Sequence, residues 1–147
     1  MNKFMRIARE EIKTEMMACT HIVLYVFCYS LLMQICCGSP VSFWTILEMS
    51  ILGYVLAWFQ TLLFFKDRAY SKKSYIIRSI CWIVVPSVST VITSLLCKWF
   101  SGVSAGIEWG YYGFIVFYFV CFWFFLKVFF KKETNELNKW LADYKKG

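Results

Sequence analysis

Apolar residues fill four long stretches of this chain, at 16–37, 43–65, 75–97 and 109–130, and the charged residues crowd between and beyond them. Each stretch is close to the roughly 20 residues that an α-helix needs to cross a hydrocarbon core of about 30 Å. The pattern predicts an all-α integral membrane protein with four transmembrane helices. The cationic side chains then sort by side when the chain is threaded back and forth. Lys3, Arg6, Arg9 and Lys13 precede the first span, and Lys66, Arg68, Lys72, Lys73 and Arg78 lie around the second connection. Lys127, Lys131, Lys132, Lys139, Lys145 and Lys146 close the chain, so that of the 16 Lys and Arg only Lys98 falls on the other side. By the positive-inside rule both termini are cytoplasmic and the protein is a multi-pass protein of the cell membrane. Three parts follow: a cytoplasmic amphipathic N-terminal segment (1–15), the four-helix transmembrane domain (16–130) and a cytoplasmic amphipathic tail (131–147).

Composition sharpens this reading. With 60% hydrophobic and 17% charged residues, and a mean hydropathy of +0.57, the chain is too apolar for a soluble domain of its length. The net charge of +7 flanks apolar helices, where it orients the protein and meets anionic headgroups, so direct nucleic-acid binding is not expected. The first stretch reads as a retained helix, because it is longer than a signal-peptide core and bulky Ile35 precedes Cys36–Cys37. The seven cysteines include no Cys-x-x-Cys pair, and His21 is the single histidine, so neither a metal site nor a cofactor is expected. Cys36, Cys37 and Cys97 fall near the outer face, where an oxidised pair with Cys97 is conceivable.

Polar residues inside the spans are the candidates for chemistry. Glu48 is the acidic residue well inside a span, about 7–8 Å below the outer boundary at helical rise. It reads either as a cation-linked transport site or as the partner of Lys98, and its shallow depth favours the ion pair. His21, Gln60 and Arg78 lie about a turn from the inner boundary, where they either hydrogen-bond across helices or snorkel separately; snorkelling suits Arg78. His21 is also a candidate pH sensor. Pro86 interrupts the third span, and Ser87, Thr90 and Ser94 form a hydroxyl stripe on one face, suited to a hinge or, better, to close packing. Gly102 and Gly106 read as loop, while Gly110 and Gly113 would allow the last helix to pack closely. Trp44, Trp99 and Trp109 are expected at the outer interface.

The two ends point most directly to function. Leu137, Trp140, Leu141 and Tyr144 recur at i, i+3, i+4 and i+7 in the tail, and Phe4, Ala8 and Ile12 form a similar stripe ahead of the first span. Both stripes read either as lying in the headgroups or as a docking surface completed by Lys72 and Lys73. The layout, with a Lys-rich tail reading Lys131-Lys132-Glu133-Thr134-Asn135-Glu136-Leu137-Asn138-Lys139, resembles a family of small four-helix bacterial membrane proteins commonly encoded beside LytTR-type DNA-binding transcription regulators. That resemblance implies a partner and not a reaction: a cytoplasmic regulator held inactive at the membrane, an anti-activator with no catalytic residue. The expectation is therefore a regulatory protein, not an enzyme, whose partners are the lipid bilayer and a cytoplasmic DNA-binding regulator, with a homo-oligomer left open. The alternatives are a small transporter or exporter built on Glu48, or an accessory subunit of a larger membrane complex.

Overall fold

The computed structural model describes residues 3–64 and 71–146, with side chains described for 11–64 and 71–129. The described chain forms four helices, α1 Lys3–Cys37, α2 Phe43–Phe64, α3 Lys72–Leu96 and α4 Ala105–Lys146. All four are long and apolar enough to cross a membrane, over Glu11–Cys37, Phe43–Phe64, Lys72–Leu96 and Ala105–Phe129. The spans thus fall close to where the hydropathy pattern put them. Two helices run further: α1 starts at Lys3, and α4 starts at Ala105 and continues to Lys146. No Gly or Pro stands between Gly113 and Lys146 to stop α4.

Local chemistry sets the ends. Gly38, at φ +61°, ends α1 in the left-handed conformation that glycine adopts without a Cβ clash. Ser42 Oγ accepts from Trp44 N at 3.3 Å to open α2, and Ser71 Oγ accepts from Ser74 N at 3.3 Å to open α3. The end of α3 is a Schellman turn. Lys98 is left-handed at φ 54°, and Trp99 N–H donates back to Ser94 O at 3.0 Å. A side chain with a Cβ occupies the position where glycine is usual. The turn drives Trp99 and Phe100 inward, and both are buried.

Cross-helix contacts define an up-down-up-down bundle. Thr14 donates to Thr61 between α1 and α2 (3.0 Å), Arg78 Nη1 donates to Leu63 O between α2 and α3, and Tyr112 meets Ser94 between α4 and α3. The α1–α2 pair is the most intimate, because Gly53 lets the backbones approach. A Cβ there would stand 2.9 Å from Ile22 Cγ1 and 3.2 Å from Ile22 N. By contrast α1 and α4 meet through rings: Tyr25 and His21 on Phe119, and Tyr29 on Tyr111. Contrary to expectation, Gly106 is helical, and Gly110 and Gly113 have nothing within 4 Å of a built Cβ. The small residue that permits close packing is Gly53.

The interior holds polar side chains as well as rings, and many large apolar side chains face outward. His21, Gln60, Ser87, Thr90 and Ser94 are buried, while Val23, Phe27, Ile51, Val55, Ile76 and Phe117 face outward. Lipid is as apolar as leucine, so burying leucine gains little, and helices associate through packing and interhelical hydrogen bonds. The stripe of Ser87, Thr90 and Ser94 accordingly packs inside, as its spacing suggests. Relieving the left-handed side chain at position 98 should stabilise the bundle. Lys98→Gly is expected to raise the thermal unfolding midpoint in detergent by a few degrees, since a left-handed residue costs about 1–2 kcal/mol and glycine's extra chain entropy returns only part of it. An unchanged or lower midpoint would show that Lys98 carries no strain there.

Candidate functional site

The most connected polar site starts from a missing proton. Proline has no backbone N–H, so Pro86 leaves the carbonyl four residues earlier, that of Trp82, without its helical donor. Gln60 on α2 fills the vacancy: its Nε2 donates to Trp82 O at 3.1 Å. That bond fixes which way the amide faces and turns Oε1 toward α1, where it meets His21 Nε2 at 2.6 Å. An amide oxygen only accepts, so His21 carries its proton on Nε2. Nδ1 then accepts from Tyr118 Oη on α4 at 2.7 Å. One uncharged chain of hydrogen bonds, Tyr118 to His21 to Gln60 to Trp82, ties all four helices together.

The surroundings are apolar. Tyr118, Phe119 and Phe122 stand edge-on around the imidazole, with ring centroids 5.4–5.7 Å away, and Trp82 stacks on Phe122. His21 and Gln60 are both fully enclosed. No charged side chain is bonded to this network among the described residues, nor is there a group of three or more His, Cys, Asp or Glu placed to hold a metal ion. What such an arrangement does is hold geometry, because unpairing any member strands a polar group in a medium that offers no substitute. No protein-family profile, no curated protein and no solved structure matches this chain.

A second polar cluster closes the opposite end of the bundle. Glu48 is half-buried, and its Oε2 accepts from the Trp99 indole N–H at 2.8 Å. Tyr29 Oη donates to Trp99 O in the same cluster. The expected Glu48–Lys98 ion pair does not form. The Schellman turn sends Lys98 outward and brings its neighbour Trp99 onto the carboxylate instead. Trp99, only 4% exposed, is therefore core and not an interface residue, whereas Trp44 and Trp109 are outward-facing, at 69% and 72% exposed. Between the clusters Thr90 gives its proton to Pro86 O and accepts from Tyr25 at 2.6 Å. Ser94 and Tyr112 hydroxyls bond one another, and Tyr112 donates on to Glu108 at 2.7 Å. All seven cysteines are free thiols.

Of the inner polar trio, His21 and Gln60 come together and Arg78 does not join them. Arg78 donates to Leu63 O near the end of α2 and through Nε to Ser74 Oγ at 3.4 Å. Ile12 is exposed on α1, and Lys72 and Lys73 are exposed at the start of α3. The side chains of Phe4, Leu137, Trp140, Leu141 and Tyr144 lie outside the described residues. Sequence reasoning missed Tyr118, the Trp82 carbonyl and Trp99 as the partner of Glu48. The carbonyl was recoverable, since a mid-helix proline always frees the acceptor four residues back. Tyr118 was hidden among the aromatics of the last span.

Gln60→Leu strands both the His21 Nε2–H and the Trp82 carbonyl, and is expected to cost about 2 kcal/mol of bundle stability. In a Pro86→Ala background position 86 supplies an N–H to Trp82 O, so the same substitution should cost clearly less. Equal costs in the two backgrounds, measured by denaturant or steric-trap unfolding, would disprove the link. Cys97 supplies a second check. Burial raises its thiol above the ordinary range, and the negative charge of Glu48 raises it further. Less thiolate is then present at any given pH. Glu48→Gln removes the charge, so the midpoint of the pH–rate profile for maleimide labelling at Cys97 should move down; a fixed midpoint would rule out the influence of that charge.

Proposed function

We propose that this is a membrane-embedded regulatory protein that binds and restrains a cytoplasmic partner. Both termini are cytoplasmic in this reading, on the strength of the Lys and Arg distribution. The observation that carries it is the continuity of α4. The helix runs unbroken from Ala105 to Lys146, past the apolar window that ends at Phe129. The part beyond the window would be about 25 Å long at helical rise. A helix that crosses the interface without a break is directed away from the bilayer, whereas a tail lying flat in the headgroups needs a kink where it leaves the span. On that helix Leu137, Trp140, Leu141 and Tyr144 share one face by register, the anchor pattern by which an amphipathic helix enters a partner's groove. The N-terminal part of α1 leaves the same end of the bundle.

The resemblance to membrane proteins encoded beside LytTR-type regulators identifies the partner we favour, a DNA-binding transcription regulator sequestered at the membrane and so kept from its promoter. The transporter reading is weaker, because Glu48 is already engaged by Trp99 near one end of the bundle. Purification of the tagged protein from its native membrane in mild detergent tests the proposal. A soluble DNA-binding protein should accompany the full chain and be lost when residues 135–147 are deleted. Trp140→Ala alone should weaken capture about tenfold or more, as expected of a buried interface tryptophan, while Glu48→Gln should leave it unchanged. Capture that survives the deletion, or recovery of the protein alone, would refute the docking surface.

A further inference from the structure

The middle of α2 turns two hydrogen-bonding groups outward. Tyr54 and Trp58 are 48% and 57% exposed and lie one turn apart on the same face of the helix. Tyr54 is about 16–17 Å from Phe43 and about 15 Å from Phe64 at a rise of about 1.5 Å per residue, the centre of the hydrocarbon core. Trp58 is about 9 Å from Phe64, and helical side chains lean toward the N-terminus, so its indole leans back toward the centre. Neither the phenol hydroxyl nor the indole N–H has a hydrogen-bond partner among the described residues. Small hydroxyls that face outward solve this locally: Thr20 and Ser79 each donate to the carbonyl four residues earlier. A phenol or indole is too long to turn back in that way. Lipid offers acceptors only near the membrane surface, and acyl chains offer none.

We infer that this face of α2 is a homodimer interface, on which a second copy of the chain supplies the hydrogen-bond partners. Trp44, Leu47, Ile51, Tyr54 and Trp58 follow one another at steps of three, four, three and four residues, and all five are exposed. That spacing keeps one seam toward a neighbouring helix crossing at about +20°. Depth commits the face to a second copy. Two copies inserted in the same orientation are related by a two-fold axis along the membrane normal, so each residue meets its equivalent at the same height. The Tyr54 and Trp58 pair of one copy then stands level with the same pair of the other. Hydrogen-bonding capacity agrees, because a phenol both donates and accepts whereas an indole only donates. The Trp58 N–H of each copy donates to Tyr54 Oη of the other, a bond that symmetry makes twice. The interface uses the outer face of α2 and none of the tail, so it is independent of partner docking.

Energy transfer between full chains carrying a donor or an acceptor fluorescent protein at the N-terminus, reconstituted in phosphatidylcholine vesicles, tests the interface. Transfer should rise with the protein-to-lipid ratio along a monomer–dimer curve. Tyr54→Phe removes only the hydroxyl and should weaken the dimer about fivefold, since interhelical bonds in membranes are modest and symmetry counts each one twice. Trp58→Phe should weaken it by a similar factor, whereas Phe117→Leu on the outward face of α4 should leave it unchanged. Monomers at every ratio, a dimer that both α2 variants leave unaltered, or one weakened equally by Phe117→Leu would each overturn the inference. So would a Tyr54-dependent complex in native membranes that the purified chain does not form, which would assign the face to a different membrane protein. The vesicles hold no cytoplasmic partner, so failure here is separate from failure of the docking surface.

Discussion

The bundle depends on what happens to one carbonyl. Pro86 cannot donate to Trp82 O, and inside a bilayer there is no water to do so instead. The group must be paired by another helix, and Gln60 pairs it. Once that amide is committed, its oxygen has only one way to face, and His21 and Tyr118 follow in order. A defect in α3 thereby becomes the reason that α1, α2 and α4 stand where they do. Individually these bonds are worth about 0.6 kcal/mol. Their weight lies in the alternative, since losing one partner leaves the others buried and unsatisfied.

The rest of the interior follows the same economy of protons. Tyr25 completes Thr90 while Thr90 completes Pro86, and Tyr112 completes Glu108 while meeting Ser94. Only the Tyr111 hydroxyl lacks a partner among the buried side-chain polar atoms of the described residues. Hydroxyls and ring edges share the core with a few aliphatic side chains such as Leu56 and Ile115, while many others, Val23, Ile51 and Val55 among them, face outward to lipid. Where backbones must touch, as at Gly53 against Ile22, a missing Cβ makes room. Elsewhere aromatic rings span the gap, which is why α1 and α4 can be held together without being close.

The two ends of the bundle are built differently. At one end the turn after α3 folds Trp99 and Phe100 inside and seals Glu48 with an indole, leaving little for a ligand to reach. At the other end α1 and α4 run on past their apolar windows. Partner docking is proposed for this end. It draws on the tail of α4.

Span number and approximate limits were legible from the sequence, because hydrocarbon thickness dictates helix length and hydropathy reports it directly. So was the burial of the Ser87, Thr90 and Ser94 stripe, since it rests on helical periodicity alone. The partners of polar residues were not. Glu48 was matched to Lys98 by height, yet a left-handed residue at the end of α3 turned Lys98 out and Trp99 in, a choice of backbone conformation that no charge pattern records. Gly110 and Gly113 were credited with the packing that belongs to Gly53, because spacing says which residues share a face but not which face meets a neighbour. The sequence by itself determined how many helices form and which side chains need a partner; only the tertiary structure decided which partner each one has, because pairing depends on the rotation and height of every helix at once.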